Sequence, residues 1–302
     1  MSMQTQVEPN VVEGTKKDKS RFLKIIQSLL KSKTGFIGFF IVLTVVFVGV
    51  FANYLAPHDY AQTNVDNRLM PPFWMEGGSP EHILGTDNLG RDVLSRIIIG
   101  SRVSLLVGVS SVIVAGFIGL VLGLISGYYG KWIDQVIMRL VDSFLAIPNI
   151  LFMLIFLAVI GPSLASIIIV LGFTTWVVYA RMVRSETLSV KERDYVKSAR
   201  AVGASDFIII RRYILPNIIS SFIVIATLNV ATTIILESSL SFLGLGIQPP
   251  EVSWGLMLSD GRDYLATSWW VATFPGLAIT ITVLGIIFLG DWLRDVLDPK
   301  IK

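Results

Sequence analysis

Cysteine is absent from the 302 residues, which excludes disulfides, thiolate metal sites and cysteine nucleophiles. Histidine is nearly so. Only His58 and His82 occur, both in a polar stretch where lone imidazoles read as solvated side chains rather than ligands, though a metal-carrying substrate keeps that question open. There is no Gly-x-x-x-x-Gly-Lys-[Ser/Thr] nucleotide loop, no His-Glu-x-x-His and no Gly-x-Ser-x-Gly. The chain therefore offers no catalytic, cofactor-binding or metal-ligating residue, and nothing in it can hydrolyse ATP. Charge is also scarce, at 16% of residues. The pI near 9.1 does not imply a nucleic-acid partner, because the basic residues border apolar runs instead of forming a stripe.

What the chain has in quantity is apolar sequence, 53% of residues with a mean hydropathy of +0.69, far above soluble domains. It belongs in membrane lipid. Six runs are long enough to cross a bilayer: Gly35 to Ala56, Val103 to Ser126, Val136 to Ile160, Leu164 to Met182, Ile218 to Leu240 and Val271 to Leu289. The first follows a basic tail (Lys16, Lys17, Lys19, Arg21, Lys24, Lys31, Lys33), and Tyr54 and Pro57 make a poor cleavage site, so it reads as an uncleaved anchor rather than a signal peptide. Of the 25 Lys/Arg, all but Arg68, Arg91, Arg96, Arg102 and Arg262 fall in segments on the side of the N-terminus. The positive-inside rule then places both termini in the cytoplasm. The resulting division is a tail over 1–34, an anchor over 35–56, an extracytoplasmic segment over 57–101, a transmembrane core over 102–291 and a C-terminal tail over 292–302. In the second run Gly116, Gly119 and Gly123 permit close helix packing, within the chain or against a partner subunit.

The most informative polar stretch lies inside that core, over 187–217. Glu192 and Asp194 precede Lys197 and Arg200, the charge order that suits a short helix from about Thr187 to Val202. Gly203 reads as its stop, Ser205 and Asp206 as the cap of a second helix, and Pro216 as the first turn of the next apolar run. The small Ser198, Ala199 and Ala201 would let another surface approach the backbone. With Tyr195, Ala204, Leu215 and Asn217, this layout resembles the cytoplasmic "EAA" loop of binding-protein-dependent ABC importers. Ala199, Gly203, Leu215 and Pro216 match that pattern; Lys197 stands in its acidic slot, Ser198 in its first Ala slot and Tyr213 in its Ile slot.

Leu84 to Gly108, LGTDNLGRDVLSRIIIGSRVSLLVG, is similar to the segment before the second span in C-type permease subunits of dipeptide, oligopeptide and nickel importers. Leu240 to Arg262 and the ending Gly290 to Lys300 resemble the same family. The likeness runs over residues 22–300. It implies an all-α integral membrane protein with six transmembrane helices, the type I ABC importer permease fold, in a bacterial inner membrane. It also implies a sister permease as heterodimer partner, two cytoplasmic ATP-binding subunits that carry the ATP and Mg, and an extracytoplasmic binding protein. The expected substrate is a di- or oligopeptide, with nickel, another metal chelate or an opine as the alternative, and an ion-driven secondary transporter as the reading from another class.

The outer segments either support the binding protein or brace the helices. Gly85, Asp87, Gly90 and Asp92 read as turns and Arg91 to Ile99 as a short surface helix. Within the spans, Arg139 and Asp142 have the spacing of a structural pair. Glu237 has no local partner. With Asn229 and Thr233, it is a candidate wall of the translocation path, or else a helix-helix contact.

Overall fold

In a bilayer each backbone N–H must be paired within its own segment, so long apolar runs fold as helices. The computed structural model describes residues 26–297, all helix and connection with no strand among them. The basic tail from Lys16 to Lys24, and the ending beyond 297, lie outside the described residues. The main helices are α1 (Lys33–Val50), α2 (Val93–Tyr129), α3 (Lys131–Leu145), α4 (Asn149–Ile160), α5 (Leu164–Lys191), α6 (Asp194–Ala201), α7 (Leu215–Phe242), α8 (Trp254–Gly261) and α9 (Trp270–Leu297). Five are long and apolar enough to span: α1, α2, α5, α7 with the turns leading into it, and α9.

The remaining expected span, Val136 to Ile160, is broken. α3 and α4 meet at 86°, and count as a sixth crossing only if the bent pair is taken as one. Pro148 causes the break, since its nitrogen cannot donate to the preceding turn and its ring keeps Ile147 out of helical conformation. On α3, Arg139 and Asp142 are both exposed and form no ion pair, contrary to expectation. Such a pair on an open helix face is worth only ~0.2–0.5 kcal/mol, too little to hold two free side chains. The ion pair that does form is Asp134 with Arg184 of α5, through a two-pronged contact of 2.5 and 2.6 Å.

The short helix expected over Arg91 to Ile99 is not separate from the second span. α2 runs unbroken from Val93 for 37 residues, roughly 55 Å, because Asp92 caps it by accepting from the Ser95 N–H at 2.8 Å. It packs along α5, and here the glycines matter. A Cβ on Gly119 would lie 2.7 Å from the Trp176 carbonyl, and one on Gly123 equally close to that of Ala180, so the stripe serves packing within the chain. Apolar clusters of α2 and α5 residues fill the interior, joined by Met153 and Leu157 of α4 and Leu240 of α7. α1 stays peripheral, held mainly where Gly35 meets Trp292 and Gly38 meets Leu289 of α9.

Candidate functional site

At one end of the bundle the chain leaves α5 as a knob of short helices before re-entering through α7. α5 overruns the expected loop start and ends at Lys191, so the anticipated helix from Thr187 to Val202 is two pieces broken at Glu192 and Arg193. α6 closes in a Schellman turn: Gly203, at φ +88°, donates to the Arg200 carbonyl and Ala204 to that of Ala199, both at 3.0 Å. Ser205 starts the next helix, Asp206–Ile209, without a side-chain cap bond. A five-residue π turn, Ile210–Ile214, then leads into α7, whose second residue is Pro216. The missing Pro216 N–H accounts for the wide turn, because the ordinary bond back to Arg212 cannot form.

The knob is anchored rather than loose. Val196, Ile209, Ile214 and Ile218 are buried in one cluster with Tyr128 of α2 and with Val183 and Val190 of α5. Tyr128 is the polar hub. Its hydroxyl donates to Asp206 at 2.5 Å, its carbonyl accepts from Lys191 at 2.7 Å, and the Arg200 guanidinium lies 5.5 Å above its ring. Sequence reasoning missed this residue, which the chain places 67 positions before Tyr195; the one available signal is an aromatic pair, Tyr128 and Tyr129, ending an otherwise apolar helix.

The outer side of the knob is open among the described residues. Tyr195, Lys197, Ser198, Arg200, Ser205 and Pro216 are exposed, while Ala199, Ala204 and Leu215 are half-buried. Val202 is 89% and Phe207 69% exposed, an apolar rim around Gly203. Lys197, in the slot where the resemblance has an acid, turns back to Glu192 at 3.0 Å. That hydrogen bond holds the Glu192 carboxyl below its ordinary pKa. The charge in the variant slot is thus answered inside the knob.

At the opposite end the outer segment folds onto the start of α2. Asp87 accepts from Arg91 at 2.7 Å and from Arg96, and Asp260 of α8 accepts from the same two arginines at 3.3 and 3.2 Å. Arg96 and Asp87 are almost wholly buried. The histidines, expected to be solvated, are brought together: their rings lie 4.9 Å apart and His82 is buried. A loop reading could not find this, because 24 residues separate them.

Between the two ends, Glu237 does not lie on an open wall. It is fully buried under α8, where its Oε1 accepts from Ser241 at 2.9 Å and from Ser253, the cap of α8, at 2.8 Å. Thr233 is buried as well, bonded to the Asn229 carbonyl, and Asn229 is half-buried. Of the two readings of Glu237, the geometry here is that of a contact between helices. Glu237→Ala leaves two buried hydroxyls without an acceptor, at a cost of roughly 1–3 kcal/mol. The expected result is a lower melting temperature of the purified assembly, with uptake per assembled complex unchanged.

A bundle of at least five apolar helices with a helical knob at one end and folded outer segments at the other defines an integral membrane protein of several spans. Residues 119–302 match the family described as binding-protein-dependent transport system inner membrane component, and the chain belongs to it. Residues 20–72 match the N-terminal transmembrane domain of oligopeptide transport permease C. The chain is 42% identical to the di/tripeptide transport system permease protein of Pseudomonas aeruginosa over 91% of each chain. It is 44% identical to the dipeptide transport system permease protein of Escherichia coli K12, over 90% of this chain and 91% of that one. Inward-facing conformations of the MetNI methionine ABC transporter share the fold, with a TM-score of 0.55 at 22% identity over 67% of this chain and 97% of that one. Family membership removes the ion-driven secondary transporter as a reading, and makes an ATPase and a substrate-binding protein the partners of this class.

Proposed function

We propose that the chain is one of two sister permease subunits of an ABC importer for di- and tripeptides, and that it forms half of the translocation path. Two cytoplasmic ATP-binding subunits supply the energy through the 187–217 knob, with ATP and Mg bound there and not in this chain. An extracytoplasmic binding protein delivers the peptide. The observation that carries the coupling role is the apolar rim of Val202 and Phe207 around Gly203, exposed on a knob whose base is buried among α2, α5 and α7. A push on the rim is transmitted to three helices at once, because packed interfaces move as bodies between discrete arrangements. The names of the relatives support peptides over nickel or an opine.

Uptake by the reconstituted complex tests this. ATP-dependent accumulation of labelled di- and tripeptides is expected, with excess unlabelled peptide competing and Ni2+ salts without effect; accumulation of Ni2+ and not peptide overturns the substrate assignment. We also place the knob and both termini on the cytoplasmic side. With no native cysteine, Glu76→Cys and Val202→Cys are single reporters at exposed positions. A membrane-impermeant maleimide applied from outside is expected to label the first and spare the second, and the reverse pattern inverts the orientation.

A further inference from the structure

We propose that His58, His82 and Asp92 form a site for one divalent transition-metal ion of the zinc type, which clips the outer segment to the start of α2. The three residues come from separate turns, yet one ligand atom from each lies within 4.8 Å of the others. His82 Nδ1 is 3.0 Å from Asp92 Oδ1, and His58 Nδ1 is 3.8 Å from Asp92 Oδ2. The second distance is too long for a hydrogen bond, and His58 Nδ1 is buried with no partner at all. It is near the edge of a coordination tetrahedron, since two ligands each ~2.0–2.1 Å from zinc lie ~3.3 Å apart. An orphaned buried nitrogen aimed at a carboxylate is what an ion between them would satisfy.

The donor set selects the ion. Two neutral imidazoles and one carboxylate suit zinc and its first-row neighbours, whereas Mg2+ and Ca2+ need more oxygen ligands. Asp92 is already positioned, because its Oδ2 accepts from the Ser95 N–H and hydroxyl at 2.8 and 2.7 Å, which fixes the carboxylate with one oxygen nearer each imidazole. The His58 side chain is 37% exposed, which gives an entry path and a fourth position for water. Without metal, His82 Nδ1–H donates to Asp92 while Asn67 Nδ2, at 3.4 Å, donates to Nε2. With metal on Nδ1 the proton moves to Nε2, and the Asn67 amide turns its oxygen to accept it.

The test uses the complete complex, stripped with chelator and titrated with Zn2+ without ATP or peptide. Its outcome is therefore independent of the transport reading. Wild type is expected to retain one zinc equivalent more than a His82→Gln complex after desalting, and to show a higher melting temperature with Zn2+ but not with Mg2+. Asn67→Ala, which removes an outer partner of His82, is expected to weaken binding by ~10-fold, and His58→Phe, which removes a direct ligand whose Nδ1 bonds to nothing else, by more than that. If His82→Gln does not assemble, His58→Phe decides the question. Equal zinc content and affinity in wild type and the assembled variants overturn the proposal.

Discussion

Gly203→Val is expected to leave the complex inserted in the membrane but to reduce peptide uptake at least tenfold, with ATP hydrolysis no longer stimulated by the loaded binding protein. The effect is conformational, not steric. A Cβ at Gly203 meets nothing within 4 Å, so no clash within the chain arises. The residue nevertheless sits at φ +88°, where an L side chain costs roughly 1–2 kcal/mol and a β-branched one more. Relief of that strain is expected to open the two 3.0 Å bonds of the turn and to displace Val202 and the chain that follows it. Gly203→Asn separates this from simple crowding, because asparagine tolerates the left-handed region. Uptake by the Asn variant is expected to stay within about twofold of wild type. Normal accumulation in the Val variant would sink the coupling role of the knob.

Asp87→Leu is expected to lower the stability of the assembled complex by ~3–5 kcal/mol, the scale for stranding one charge of a buried pair. Arg96 is 2% exposed, and without Asp87 it keeps only Asp260, which is itself 27% exposed. Asp87 also accepts the backbone N–H groups of Leu89 and Arg91 at 2.8 and 3.0 Å, so the turn that delivers the chain to α2 loses its internal acceptor too. The double variant Asp87→Leu with Arg96→Met removes both charges, and is expected to recover most of the lost melting temperature. Equal destabilisation in single and double variants would locate the effect in the turn and remove the ion pair from the account. The comparison bears on transport because the network joins α2 to α8, which covers Glu237.

The expectations that held and those that failed divide by the range of the interactions behind them. The Gly203 stop and the Pro216 position were legible because backbone permissiveness and a missing N–H act within a few residues. The glycine stripe was legible as close packing, but its partners were open until α5 was seen against Gly119 and Gly123 and Phe222 of α7 against Gly116. The break at Pro148 was passed over because hydropathy alone averages across it. Arg139 and Asp142 misled because spacing on one helix does not say which face a neighbour covers, and Asp134 found Arg184 instead.

Apolar run lengths determined by themselves that this is a membrane protein of several spans, since the bilayer tests each segment largely on its own. Only the tertiary structure decided that Tyr128 is the hub beneath the knob, that Glu237 meets Ser253 at the start of α8, and that His58 and His82 meet at Asp92. Those contacts join residues 16 to 78 positions apart in the chain, or 10 and 34 at the histidines, and no local propensity encodes which distant groups a folded bundle will bring within a few ångströms.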